Sequence, residues 1–69
     1  MTQKELLYLE DAIGHEKNII CILNESISQA SSKRIVNFLN SELSNHEKLY
    51  NSLLKHMEVV GNEWSINNG

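Results

Sequence analysis

Apolar residues recur three and four places apart along most of this chain. Leu6, Leu9, Ile13, Ile20, Leu23 and Ile27 form one such series, and Tyr8, Ala12, Ile19 and Ile22 widen it on one flank. At 3.6 residues per turn these positions share one side of a helix, which predicts a first amphipathic helix over about residues 3–28. A double row follows. Val36, Leu43, Tyr50 and Met57 lie on one line, with Ile35, Leu39, His46, Leu53 and Val60 beside it, predicting a second helix over about residues 32–60. Thr2 stands three places before Glu5, the spacing of a capping box in which hydroxyl and carboxylate satisfy each other's free backbone amides. Ser28-Gln-Ala-Ser-Ser32 is short, small and polar; it reads as the connection, with Ser31 or Ser32 placed to cap the second helix. Gly61-Asn62 offers a left-handed cap at the far end. The last stretch, 62–69, has no periodicity and is expected to fray, with Trp64 and Ile66 folding back over the helix ends.

A connection this short between long helices makes an antiparallel hairpin. The expected fold is therefore all-α, a two-helix hairpin filling residues 1–61 as one domain. Two helices cannot enclose stripes this wide, so a long apolar side would stay wet; the expectation is a homodimer whose two hairpins form a four-helix bundle. Size points the same way, because a 69-residue chain is near the limit at which one core suffices without a disulfide, a metal or a partner. The single cysteine, Cys21, excludes an intrachain disulfide. It falls on the line Leu7, Gly14, Cys21 on the outer side of the first helix and reads as inert, while Gly14 in mid-helix suggests that another backbone comes close. A net charge of −3 with no basic run argues against nucleic acid or an anionic membrane as partner. The sequence shows no apolar stretch of signal-peptide or membrane-spanning length, so a cytoplasmic location is expected.

The polar members of the stripes carry the candidate chemistry. Glu16 occupies the gap in the first series, near the centre of its apolar arc, and Glu42 and His46, four apart, share one face of the second helix. The segment Asp11-Ala-Ile-Gly-His15-Glu16-Lys17 also resembles Glu42-Leu-Ser-Asn-His46-Glu47-Lys48, thirty-one places on. Folding the chain about residue 30 sets Glu16 at a height between Glu42 and His46, so the three side chains are expected to meet. Three readings follow. Two copies around a twofold axis would gather four carboxylates and two imidazoles, the donor set of ferritin-like bundles for iron or manganese, with His15 and Glu47 as supporting groups. The register departs from that pattern, since the ferritin-type spacing is Glu-x-x-His and Asn45 stands where the histidine belongs. The second reading is a polar layer in which Glu16 pairs with His46 or bonds a Tyr8 or Tyr50 hydroxyl. In the third, the trio sits wet at the seam's edge. His56 points away from the stripe. No nucleophile triad, phosphate loop or paired-cysteine motif is present, and no catalysis is expected.

The run Lys4-Glu-Leu-Leu-Tyr-Leu-Glu-Asp-Ala-Ile-Gly-His-Glu-Lys17, with Phe38-Leu-Asn-Ser-Glu-Leu-Ser-Asn-His-Glu-Lys48, resembles the Coat F family of spore-coat-associated proteins over roughly residues 4–58. Glu10, Asp11, His15 and Glu16 match its first-helix motif, and Glu42, His46 and Glu47 its second. The resemblance implies a ferritin-like helical fold, a sporulation-linked structural role, other spore-coat proteins as partners and a place in the spore coat. Two alternatives stand beside it: a di-metal binding module at the dimer centre, and a small helical-hairpin regulator of a sporulation phosphorelay. The hairpin phosphatases of that second class present Ser-Gln-x-x-Asp on a helix face, whereas Ser28-Gln29 here is followed by Ala-Ser-Ser.

Overall fold

The computed structural model describes the backbone of residues 1–68 and the side chains of residues 1–61. Two helices make up the fold, α1 over Gln3–Gln29 and α2 over Lys33–Asn68. They pack against each other as a hairpin, and among the described residues there is no strand. The stretch 62–68, expected to fray, continues α2, and the side chains of Trp64 and Ile66, expected to fold back over the helix ends, lie outside the described residues.

Local chemistry explains the ends. Thr2 is extended, its hydroxyl accepts the Glu5 amide at 3.1 Å, and its own amide donates to the Glu5 carboxylate at 2.8 Å. The expected capping box is formed. The Thr2 backbone amide, then its side chain, holds the Glu5 carboxyl below its ordinary value, with the nearby N-terminal ammonium adding to the effect. Ala30 leaves the helical region and ends α1, its amide still donating to the Ser26 carbonyl at 2.9 Å. Ser32 opens α2. Its carbonyl accepts the Val36 amide at 2.9 Å, and its hydroxyl lies 3.5 Å from the Ile35 amide. The connection is thus shorter than the polar stretch that announces it.

Two expectations about glycine are corrected. Gly61 was expected to end the second helix in a left-handed cap, but no described glycine has a positive φ and α2 continues through Gly61. A glycine cap is a preference of about 1 kcal/mol, and no proline or competing contact enforces it here. Gly14 was expected to mark a close backbone approach. A β-carbon built there meets nothing within 4 Å, so nothing in the hairpin requires a glycine.

The hairpin is a rod. Its extents are 53 × 16 × 13 Å and its radius of gyration is 15.9 Å, against about 11 Å for a compact domain of this length. Its 5534 Å² of accessible surface exceeds the roughly 4,400 Å² expected of a globular monomer of its mass. Inward positions of α1 meet inward positions of α2, yet among the described residues no apolar side chain is fully buried. Two helices cover only one flank of each other, so Leu9, Ile13, Ile20, Leu39, Leu43 and Leu53 remain half-buried.

Because Gly14 has open space around it, Gly14→Ala should stabilise the protein by about 1 kcal/mol through helix propensity and loss of unfolded-state freedom. Urea denaturation at fixed protein concentration measures this; a loss of stability would mean that another backbone does pack on that surface.

Candidate functional site

Each helix contributes one inward heptad-like row, and each row is broken once, near its centre, by a polar residue. On α1 the row passes from Ile13 through Glu16 to Ile20; on α2 it passes from Leu43 through His46 to Tyr50. The hairpin sets the two breaks opposite each other. His46 Nδ1 lies 2.5 Å from Glu16 Oε2, and the imidazole N–H donates to the carboxylate oxygen. Glu16, at 8% exposure, is the one buried residue among those described. A carboxylate ends up more buried than any leucine because its side chain reaches across the seam to its partner, where a branched apolar side chain stays beside its own helix.

Glu42 completes the arrangement from one turn earlier on α2. Its Oε2 is 3.9 Å from His46 Nε2, and its side chain is more exposed than the other two. The trio expected to converge does so, in the order Glu16, His46, Glu42, from the hairpin interior outward. The imidazole has one carboxylate at each ring nitrogen, and only the inner contact has hydrogen-bond length. This is the geometry of a polar layer inside an apolar seam. The pairing centres on residue 31 rather than 30, so Glu16 lies opposite His46 itself.

The other candidates fall outside this cluster. His15 and Glu47, expected as supporting groups, are exposed, and neither bonds a member of the trio. Tyr8 is exposed, with the Lys4 ammonium 5.9 Å from its ring centroid; Tyr50 is half-buried in the seam. Cys21 is exposed, and so is His56. Ser28 turns its hydroxyl onto its own helix, donating to the Glu25 carbonyl at 2.7 Å.

The donors are not arranged around a metal ion. Glu16 and His46 point at each other rather than at a common vacant point, and among the described residues no group of three His, Cys, Asp or Glu side chains is arranged to hold a metal ion. Within a single hairpin these residues do not fit iron or manganese. Among the described residues, moreover, no helix is long and apolar enough to cross a membrane.

No protein-family model, curated protein or solved structure matches the chain.

Removing either member of the inner pair alone leaves a buried polar group without its partner. His46→Leu and Glu16→Leu should each destabilise by about 1–3 kcal/mol, whereas the double replacement should be close to neutral or stabilising, as is common when a buried pair gives way to apolar side chains. A double-mutant cycle in urea checks this; additive losses would show that the pair is not coupled. Manganese or ferrous iron should leave the melting temperature of the wild-type protein unchanged, and a metal-dependent rise abolished by His46→Leu would overturn the polar-layer assignment.

Proposed function

We propose that this chain is a small structural and interaction protein that works by self-association, two hairpins closing into a four-helix bundle around the Glu16–His46 layer. One observation supports the reading most strongly. Among the described residues no apolar side chain is buried, although each helix carries a long apolar row broken only at Glu16 or His46. A free hairpin of this shape leaves most of its hydrophobic stabilisation unrealised, since that term scales with apolar area removed from water, and a second copy supplies the missing cover. The polar layer then has a defined task. Apolar heptads tolerate sliding by a full repeat, while a central carboxylate–imidazole pair permits one register.

The wider role follows from the resemblance to the Coat F family: a sporulation-linked, non-catalytic component that assembles with itself and with other coat proteins. The residues of the motif support this in one particular way. His15, Glu42 and Glu47 are exposed or half-exposed, so a second surface could read them, whereas Glu16 and His46 serve the hairpin itself.

Sedimentation equilibrium of the purified full chain should give a mass of two chains at micromolar concentration, with a melting temperature that rises with protein concentration. A concentration-independent single-chain mass would end the self-association reading. An antibody to the chain should label the spore coat of the bacterium that encodes it, and label confined to vegetative cytoplasm would end the coat role alone.

A further inference from the structure

Around the hairpin the exposed apolar side chains are not evenly spread. Beside the row that faces α2, α1 carries a second row at alternating spacings of four and three: Tyr8, Ala12, His15, Ile19 and Ile22. Beside the row that faces α1, α2 carries Ile35, Phe38, Glu42 and Leu49, then His56 and Val59, spaced by three, four and seven. At about 100° per residue each second row is rotated by about 100° from the inward one. Because the helices run antiparallel, the two rotations bring both rows to the same broad side of the rod. The open end shows this directly, where Glu5 and Tyr8 of α1 line one groove together with His56 and Val59 of α2. Tyr8, Ile22, Ile35, Phe38, Leu49 and Val59 on this side are 45–62% exposed. The rest of the surface differs. Of the other large apolar side chains exposed among the described residues, Leu7 lies on the outer back of α1, Leu54 lies on the other broad side, and Met1 lines grooves on both sides.

Charge follows the same division. None of the six lysines and arginines falls on either second row, and interface cores are depleted in lysine in the same way. The Lys4 ammonium, over the Tyr8 ring, stands at the rim.

We infer that this lysine-free side, bounded by Tyr8 and Val59 at the open end and by Ile22 and Phe38 near the turn, is the surface that receives a second copy of the same chain. The inference rests on the self-association reading and specifies its geometry. Three features select a second copy over an unrelated partner. The middle of the side is polar, with His15, Glu42 and Asn45, and its large apolar residues lie mainly towards both ends, with Glu5, Ser52 and His56 adding polar groups in the half nearer the open end. A twofold axis through the middle, along the rod or across it, sets this polar middle against itself, with large apolar residues on either side of it. Paired heptad rows on two adjacent helices also call for two helices opposite, which is what another hairpin presents. Finally, the 5534 Å² of accessible surface exceeds the roughly 4,400 Å² of a compact monomer of this mass by more than the ~800 Å² per partner that a standard stable interface buries. With one apolar side per hairpin, assembly closes at two chains instead of growing into a fibre. Glu42 enters the contact already neighboured by His46 Nε2 at 3.9 Å, so the polar layer runs from the hairpin interior to the dimer centre.

The test is sedimentation equilibrium on full-length variants. Phe38→Glu and Leu49→Glu should weaken dimerisation by about tenfold or more, while Leu7→Glu and Leu54→Glu should leave it within about threefold of wild type. Should a glutamate variant lose its helical circular dichroism, oxidation in a Cys21→Ser background decides the matter: Asn45→Cys should form a disulfide-linked dimer, and Asn51→Cys, on the other side of α2, should not. Disruption by Leu7→Glu or Leu54→Glu with no effect of the Phe38 and Leu49 variants, selective crosslinking through Asn51→Cys, or a wild-type mass above two chains would each overturn this surface while leaving self-association standing. A monomeric wild type would remove both.

Discussion

The hairpin depends on a carboxylate meeting an imidazole across the seam between its helices. Apolar side chains supply most of the attraction between α1 and α2, but leucine and isoleucine rows look much alike after a shift of seven residues. Glu16 and His46 do not. Each sits fourth in its inward row, and only one antiparallel register sets them opposite each other at 2.5 Å. In a register slipped by one heptad each would face leucine or isoleucine, leaving a charged or polar group desolvated without a partner at a cost of several kcal/mol. Set against a stability of about 3–5 kcal/mol for a chain this small, that cost decides which structure forms. The pair contributes specificity more than net stability.

The same pair shows how little two helices enclose. In a closed core the least exposed side chains are large and apolar; here the least exposed is Glu16. Long, flexible groups can find one another across an open seam, whereas burial of leucine needs neighbours on several sides, and two helices provide too few. The rod shape, the surplus surface and the half-exposed rows express a single deficit, which a layer of two more helices would remove.

Much of this was legible in the letters. The three-and-four spacing located both helices, the Thr2–Glu5 pair located the first turn, and the break in the apolar series at Glu16, together with the Glu42–His46 pair, located the polar layer. These succeed because local periodicity and a single short connection leave one topology. Gly61 misled because a cap preference of about 1 kcal/mol yields wherever the helix beyond it can continue, and Gly14 misled because a missing side chain signals close packing only if something packs there. The second rows were the hardest to see. On α2, rows one residue apart overlap, and the sequence does not say which of them α1 takes; Phe38 acquires a meaning only once Leu39 is known to face inward.

The placement of Glu42 links the two levels of the structure. A layer confined to Glu16 and His46 would fix the register of one hairpin and leave the docking of hairpins to apolar contacts, which tolerate sliding. Glu42 is one turn from His46 and one step round the helix towards the apolar side, so the constraint that aligns α1 with α2 reaches the surface where a second copy would sit. Replacing Glu42 by leucine would make that side more apolar and association less selective, because the rows would then match in more than one register. On the self-association proposed above, a half-exposed carboxylate in the middle of an apolar side would select one arrangement among those that apolar contacts alone would tolerate.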